Sequence, residues 1–263
     1  MSWDQLLEPG VVVRDSPLET ERFGCSIQRV TIGPGPVEVD RLLAVIEDLA
    51  ADVLIVRYDA ARLELAGTFA RSRRAVIAAG ALLYWEQPVS EAKPSGPSNL
   101  EVLPADTLDL EKVTALVREI VQTSFQDYGN HYTANPLLDR SAALAGYEDW
   151  AMRSLSGDPS NVLVMTDLGE PVGFAMVESG AEGRHLEILL AGIFPHLQGR
   201  RLYGSLLDTC ERVAAARGAH QVVTSTQVHN IRGQRAWARQ GLRPFASIET
   251  LHLINRDLLR ALG

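Results

Sequence analysis

The stretch LEILLAGIFPHLQGRRLYGSLL, residues 186–207, decides how the rest of the chain can fold. Its apolar first part predicts a buried strand, and its last part predicts a helix that begins after a short basic turn containing Gln198, Gly199 and Arg200. The first N–H groups of a helix lack intrahelical partners and lie at the positive end of its dipole, so they favour a bound phosphate. The sequence therefore predicts a turn that holds the pyrophosphate of a cofactor, after a strand that presents its reactive end.

Composition and charge exclude several classes of protein. The chain has 263 residues, 46% hydrophobic and 22% charged, with a formal net charge of −8. This charge argues against nucleic acid or an anionic membrane as partner, since both favour a basic surface. The two cysteines have no metal-ligand spacing, so we expect reduced thiols and no metal site. No secretory signal or apolar run of about 20 residues occurs, and a cytoplasmic enzyme is expected.

The Pro- and Ser-rich segment PVSEAKPSGPSN, residues 88–99, divides the chain. We predict an N-terminal α/β domain over residues 1–90, a linker over 91–99 and a second domain over 100–263, which is expected to fold without the first. The first domain contains no chemical motif and is predicted to serve packing or the assembly of an oligomer such as a homodimer. Its predicted elements are strands at residues 26–32, 53–56 and 81–87, with helices at 39–49 and 60–79. The second helix is capped by Gly80 and has Gly67 and Ser72 as candidate breaks.

The second predicted domain has a denser pattern of elements. A short strand, two helices and three strands lead into the helix after Arg200, which is followed by a strand, a helix closed by Gly241 and a last strand. The sequence Asp167–Glu170 predicts a hairpin between two of these strands.

This order of elements, with Pro195–Arg200 between strand and helix, resembles the GNAT superfamily of acyl-coenzyme-A-dependent N-acyltransferases. The superfamily's phosphate turn, Gln/Arg-x-x-Gly-x-Gly/Ala, stands here as Gln198-Gly-Arg-Arg-Leu-Tyr203, with both later small positions changed. Asn230 and Ala236-Trp-Ala-Arg-Gln-Gly-Leu242 resemble the superfamily's Asn…Leu-Tyr-x-x-x-Gly-Phe ending, with Trp237 in the tyrosine position. The resemblance covers residues 100–253. It implies a GNAT fold, an α/β (α+β) architecture with a central mixed, mostly antiparallel sheet flanked by helices and preceded by the smaller α/β domain.

Three further motifs resemble the TDP-fucosamine acetyltransferase branch of this superfamily. They are Leu18-Glu-Thr-Glu-Arg-Phe-Gly24, His131-Tyr-Thr-Ala-Asn-Pro-Leu137 and Thr226-Gln-Val-His-Asn230. The resemblance implies acetyl-CoA or another acyl-CoA as donor. The implied acceptor is the amine of a small molecule, most simply a nucleotide-linked amino sugar or a natural-product intermediate.

The donor must be held and its carbonyl polarised. The resemblance implies donor binding by a set of residues on the strand, the turn and the last two helices: Ala191, Gly192, Ile193, Gln198, Gly199, Arg200, Arg201, Leu202, Tyr203, Gly204, Asn230, Arg235 and Trp237. Gly192 within an apolar strand predicts a bulge that frees the amide of Ile193 for the thioester oxygen, or else a glycine that only relieves packing.

Glu187 is the candidate catalytic base, six residues before Ile193, where some members of the superfamily carry a glutamate. A carboxylate among apolar neighbours has a raised pKa, which suits a base near neutral pH. The alternative is a structural glutamate paired with an arginine such as Arg184. No general acid is assigned, because the indole of Trp237 is only a hydrogen-bond donor.

The acceptor site is predicted from two polar segments that bear aromatic or amide side chains. The candidate residues are Tyr128, Asn130, His131, Tyr132, Thr226, Gln227 and His229. Asn230 is also a candidate N-cap of the following helix. The altered phosphate turn and the missing tyrosine leave a second functional hypothesis open, a catalytically silent acyl-CoA-binding sensor or scaffold.

Overall fold

The computed structural model describes residues 2–90, 100–126, 128–200 and 202–261. Within these ranges the strands are β1 (Val11–Asp15), β2 (Ile27–Ile32), β3 (Val53–Asp59), β4 (Ala75–Pro88), β5 (Leu100–Pro104), β6 (Val162–Asp167), β7 (Glu170–Ser179), β8 (His185–Ile193), β9 (Gln221–Gln227) and β10 (Arg243–Ile254). The helices are α1 (Trp3–Leu6), α2 (Pro17–Phe23), α3 (Val39–Asp48), α4 (Leu63–Ala70), α5 (Leu110–Ser124), α6 (Arg140–Gly157), α7 (Leu202–Ala216), α8 (Ile231–Gln240) and α9 (Arg256–Arg260).

These strands form one sheet in the order β1-β2-β3-β10-β4-β9-β8-β7-β6-β5. Two neighbouring pairs, β2 with β3 and β8 with β9, run parallel, and the other pairs are antiparallel. The predicted mixed, mostly antiparallel sheet is thus confirmed, and so are the predicted helices and strands beyond residue 100, to within a few residues at their ends.

The sheet joins the two predicted domains through β10. This last long strand pairs with β3 on one side and with β4 on the other, and β4 in turn pairs with β9. Strands from residues 1–90 therefore lie in the middle of the sheet. The predicted linker, residues 91–99, lies outside the described residues, and the division of the chain at that segment stays a prediction.

The helix expected over Ala60–Ala79 is wrong in its second half. Helix α4 ends at Ala70, and residues 75–88 form the long strand β4. Gly80 adopts a φ of 94°, and the pairing with β10 shifts register between Glu249 and Leu251, so this glycine forms a bulge instead of a helix cap. The alanine-rich sequence favours helix locally, but as a strand its residues 75–81 pair along β10, and the continuation of β4 over residues 82–88 pairs with β9. The strand β1 was not predicted.

Alternating side chains of the sheet pack against helices on both faces. On β6, Val162 and Val164 pack with α5 and α6, whereas Leu163 and Met165 pack on the face of α7. Helices α3 and α4 cover β2 and β3 in the same way through Leu42, Ile46 and other buried residues. Full burial of each such side chain contributes roughly 1.5–3 kcal/mol, so these layers hold the strand ends in place.

The strands β8 and β9 pair only over the first part of their length. Their register runs from His185 opposite Gln221 to Ile188 opposite Thr224, and beyond that point β8 pairs with β7 and β9 with β4. A bulge in β8 lies at the same place, because Val177 pairs with Ile188 while Met176 pairs with Leu190. The strands thus separate just after Ile188 and leave an open edge on each.

The bulge predicted at Gly192 is wrong, since it lies at Leu189 instead. Gly192 is in register with Phe174 on β7. A Cβ atom at residue 192 would lie 2.6 Å from Cγ2 of Ile120. The glycine therefore permits close packing of α5 on the sheet, which is the alternative that the sequence left open.

The shared sheet predicts that residues 100–263 do not fold alone. Removing residues 1–90 leaves β10 without either neighbour and β9 without one, which exposes long unpaired edges. We expect this fragment to aggregate on size-exclusion chromatography under conditions in which the full-length chain, purified in parallel, remains folded by circular dichroism. A soluble, folded fragment would support the independent second domain expected from the sequence.

Candidate active site

Two cavities meet where β8 and β9 separate. The first, of about 770 Å³, lies against the starts of α7 and α8, and we call it the turn cavity. The second, of about 550 Å³, extends over the face of the sheet as far as β1, and we call it the sheet cavity. Both are lined by the same five residues at their junction: Phe125, Tyr128, Ala191, Tyr203 and Asn230.

The turn cavity brings together most of the residues predicted to bind the donor. These are Ala191, Gly192, Ile193, Gln198, Gly199, Leu202, Tyr203, Gly204 and Asn230. Trp237 lines the sheet cavity instead. Arg200 is exposed and lines neither cavity, and Arg201 lies outside the described residues.

The turn before α7 has the backbone geometry that an anion site needs. Gly199 has a φ of 88°, in the left-handed region that favours glycine. Gln198 donates from Nε2 to the Ile193 carbonyl at 3.1 Å and so ties the turn to the end of β8. No described residue accepts a hydrogen bond from the N–H of Gly199 or Arg200. These amides and the open edge of β8 fit a ligand with phosphate groups and an amide-bearing chain.

Helix α8 places two arginines that the sequence did not select beside this turn. Arg232 and Arg239 line the turn cavity with Ala236, at spacings that share one helical face. Arg235, the predicted donor ligand, lines neither cavity, and donor binding by Arg235 stays a prediction.

Asn230 has both of the roles considered for it. Its Oδ1 accepts from the Gly233 N–H at 3.0 Å and caps α8, while its Nδ2 donates to Oγ1 of Thr226 at 2.8 Å. Thr226 Oγ1 also lies 2.6 Å from the hydroxyl of Tyr128, which accepts from the Gln227 N–H at 3.3 Å. This network fixes one wall of the junction.

The sheet cavity collects five of the seven residues predicted to bind the acceptor: Tyr128, His131, Tyr132, Thr226 and Gln227. Asn130 lies outside its lining, and its side chain accepts from the Tyr132 N–H at 3.0 Å to start the short turn at His131–Ala134. His229 is exposed and lies against Gly129. Direct acceptor contacts by Asn130 and His229 stay predictions.

Residues 1–90 contribute basic side chains to one wall of the sheet cavity, and their predicted role in packing or assembly stays a prediction. The described lining contains five arginines, against the two carboxylates Asp15 and Glu19: Arg14, Arg22, Arg29, Arg57 and Arg153. The motif Leu18–Gly24 contains Glu19 and Arg22. It was the feature of the sequence that could have located this wall.

The buried carboxylate of this wall is matched by one arginine. Arg29 donates to Glu19 from Nε at 2.8 Å and from Nη2 at 2.7 Å, and the hydroxyl of Tyr132 also donates to Glu19. Burial acts to raise the pKa of Glu19, but the hydrogen bonds and charge of Arg29 lower it to about 2. Arg29 thus matches the charge of the ionised Glu19, and the buried Arg57 lines the same end of the cavity.

His131 is held as a fixed hydrogen-bond donor by two residues behind it. Asn135 accepts from the Leu137 N–H through Oδ1, so its Nδ2 must be the group that donates to Nδ1 of His252 at 3.1 Å. The hydrogen of His252 is then on Nε2, which donates to Nδ1 of His131 at 2.9 Å. Burial and then the charge of Arg57 lower the pKa of both imidazoles, that of His252 to about 4. His131 thus remains neutral with its hydrogen on Nε2, which suits binding of an acceptor oxygen and not proton abstraction.

Glu187 is buried beneath α1, with 3% of its surface exposed. Its Oε2 accepts from the Trp3 N–H at 2.8 Å, and Glu187 lines neither cavity, although the next residue, Ile188, lines the sheet cavity. Burial raises the pKa of Glu187 to about 7, against the smaller opposing effect of the Trp3 hydrogen bond. A proton could therefore reach Glu187 near neutral pH only through a water or after a movement of α1.

Comparison with known proteins shows what this chain is similar to. Residues 115–242 match the model of the Acetyltransferase (GNAT) family. The chain is 25% identical over 174 residues to the spore coat polysaccharide biosynthesis protein SpsD of Bacillus subtilis (strain 168), a match that covers 66% of this chain and 57% of that protein. The chain thus spans little more than half of the length of this relative.

Solved structures support the same fold. A GCN5-related N-acetyltransferase from Sphaerobacter thermophilus superposes with a TM-score of 0.61 at 13% identity, over 93% of this chain and 76% of that one. A tandem GNAT protein from the clavulanic acid biosynthesis pathway superposes with a TM-score of 0.55 at 15% identity, over 88% of this chain and 76% of that one. Just under half of the chain, residues 115–242, thus matches the GNAT family model, and the solved structures show that the chain shares their fold. None of the helices formed by the described residues is long and apolar enough to cross a membrane.

The raised pKa of Glu187 predicts a stability that depends on pH. The folded protein favours the protonated carboxyl of Glu187. The contribution of this group to the free energy of unfolding is therefore fully present below its ordinary pKa of 4.5 and is lost as the pH rises to about 7. Glu187→Gln keeps an acceptor for Trp3 without the charge. We expect it to exceed the wild type in free energy of unfolding by about 3 kcal/mol at pH 8 and to match it near pH 4, measured by urea denaturation. Exposed Glu170→Gln serves as control, and an equal effect of both changes would contradict the burial of Glu187.

Proposed function

We propose that the protein is an N-acyltransferase that moves an acyl group, in the simplest case acetyl from acetyl-CoA, to the amine of a small molecule by direct transfer. The observation that carries this proposal is the junction of two cavities at the point where β8 and β9 separate. Direct transfer needs donor and acceptor to meet in one place, and holding them there supplies much of the rate.

The turn cavity is the proposed donor site. The amides of the turn from Gly199 to Gly204 and the arginines Arg232 and Arg239 would hold the phosphates, and the open edge of β8 would bind the amide-bearing chain. Acyl-CoA supplies an activated acyl group when bound there. Participation of Arg200 and Arg201, predicted from the sequence, belongs to the same proposal.

The sheet cavity is the proposed acceptor site, and its charge indicates an anionic acceptor. Four of its five arginines lie on β1, β2, β3 or α2. Four strand spacings of about 4.8 Å separate β9 from β2, so the cavity reaches about 19 Å from the junction. An amine at one end and phosphates at the other describe a nucleotide-linked amino sugar. The name of the relative SpsD, a polysaccharide biosynthesis protein, agrees with this class of substrate.

Two buried groups have proposed roles towards the acceptor. Glu187 takes the proton of the amine, because its raised pKa suits a base near pH 7. The transfer passes through a water, because α1 covers the carboxylate. His131 donates from Nε2 to a sugar oxygen, because its other nitrogen is held by His252. A cytoplasmic location and a homodimer, both expected from the sequence, stay predictions.

The alternative function, a silent acyl-CoA sensor or scaffold, is less well supported. A sensor needs the turn cavity alone, whereas this chain has a second cavity with an ordered polar and basic lining. A sensor also gains nothing from the buried carboxylate of Glu187, which costs stability at neutral pH.

Arg22 provides the test of the acceptor class. Its side chain is 13% exposed and pairs with Asp149 at 2.9 Å. Arg22→Met keeps the length but removes a charged donor, a loss of roughly 1.5–3 kcal/mol, so KM for a nucleoside-diphosphate amino sugar should rise about 10- to 100-fold. We expect kcat and the KM of acetyl-CoA to change little in an assay of thiol release.

Two comparisons sharpen this test. Asp149→Asn removes the ion-pair partner but keeps the cation, so it should not raise the KM of the acceptor. The free amino sugar, which lacks phosphates, should be a poor substrate for the wild type and indifferent to Arg22→Met. An equal loss with both acceptors would contradict the anionic class, and a wild type that transfers to no amine would contradict the enzyme function itself.

A further inference from the structure

The tyrosine that the resemblance places at position 237 is replaced by Trp237, so the leaving sulfur of the donor has no evident proton source. The structure brings one other phenol to that indole. Trp237 donates from Nε1 to the hydroxyl oxygen of Tyr203 at 3.2 Å. Tyr203 belongs to the first turn of α7 and lines both cavities, while Trp237 is buried behind it with 4% exposure.

The hydrogen bond from Trp237 determines what Tyr203 can do. An indole N–H only donates, so it occupies a lone pair on the phenol oxygen and leaves the hydroxyl hydrogen for another partner. No described residue accepts a hydrogen bond from this hydroxyl. The same N–H would also stabilise negative charge on the oxygen after the proton has left. The pair thus provides an uncommitted proton at the junction.

Tyr128 is the other tyrosine that lines both cavities, but its hydroxyl is already engaged. It accepts from the Gln227 N–H and shares a hydrogen with Thr226 at 2.6 Å. Thr226 in turn accepts from Asn230. A proton transfer from Tyr128 would disturb this network, whereas one from Tyr203 would not.

We propose that Tyr203 is the general acid of the acyl transfer and that Trp237 positions and supports it. The inference rests on the proposed function. The acceptor's amine nitrogen bonds to the acyl carbon as the carbon–sulfur bond breaks, with its electron pair going to sulfur, and Tyr203 gives its hydroxyl proton to that sulfur. The amine loses one proton to Glu187 or water, and solvent returns one to the Tyr203 oxygen, so one proton moves in total from nitrogen to sulfur.

Burial raises the pKa of Tyr203 to about 12, and the Trp237 hydrogen bond opposes this rise. The hydroxyl therefore remains protonated at neutral pH and is ready to donate. Removal of the Trp237 N–H would make the phenol a weaker acid without removing it.

The test is the titration of the CoA thiol bound to the protein, which requires no acceptor. Thiolate absorbance is followed against pH for CoA in complex with the wild type and with Tyr203→Phe. A hydroxyl that donates to the sulfur stabilises the thiolate, so its loss should raise the pKa of the bound thiol by about one unit or more. At a pH at which the bound thiol is still protonated, calorimetry should give the same CoA affinity for the wild type and for Tyr203→Phe. With acetyl-CoA and an amine, kcat should fall about 100-fold with little change in KM.

Two further variants complete the design. Tyr58→Phe removes a hydroxyl in the core between β3 and α4, away from both cavities, and should titrate like the wild type. Trp237→Phe should raise the thiol pKa by less than Tyr203→Phe, and it provides the measurement if the Tyr203 variant does not fold.

Three outcomes would overturn the proposal. They are an unchanged thiol pKa in Tyr203→Phe, loss of CoA binding in that variant, or, if it does not fold, an unchanged thiol pKa in Trp237→Phe. A wild type that does not bind CoA would instead refute the proposed function, whereas an active wild type with an equally active Tyr203→Phe would refute only the role of Tyr203.

Discussion

The pairing of β10 between β3 and β4 is the interaction on which the rest of this structure depends. Every buried backbone N–H and C=O in the middle of a sheet needs a partner, and β10 finds its partners only in strands from the first third of the chain. Since β4 also pairs with β9, strands from residues 1–90 complete the sheet beside the strand that carries Thr226 and Gln227. The acceptor side of the candidate site is therefore built jointly by the two parts of the sequence.

The electrostatics of the molecule follow from this arrangement. A protein with a net charge of −8 repels anions over most of its surface, yet the described lining of the sheet cavity has three more arginines than carboxylates. Glu19 is held ionised by Arg29, and that arginine matches its charge. A cavity lined in this way concentrates anionic ligands against the charge of the whole protein. The proposed donor site, by contrast, combines the backbone amides of the turn with Arg232 and Arg239.

Much of the second half of the fold could be predicted from the sequence, because its elements have clear periodicity and caps. The turn at Gln198–Gly199 and the helix capped by Asn230 are local features, and the structure places both at the turn cavity. The residues of the basic wall could not be placed, because Arg29 and Arg57 lie on short strands whose neighbours are set by long-range pairing. The strand β4 was mistaken for helix for the same reason. The bulge at Leu189 depends on the register with β7, which no local pattern contains.

The central claim is that donor and acceptor occupy different cavities that meet at Tyr203 and Tyr128. The most direct measurement is a crystal structure of the protein with both CoA and a nucleoside diphosphate. The account predicts CoA phosphates at the turn from Gly199 to Gly204, and the diphosphate within hydrogen-bonding distance of arginines of the sheet cavity such as Arg22 and Arg29. A diphosphate bound only in the turn cavity, or CoA phosphates bound away from α7, would contradict it.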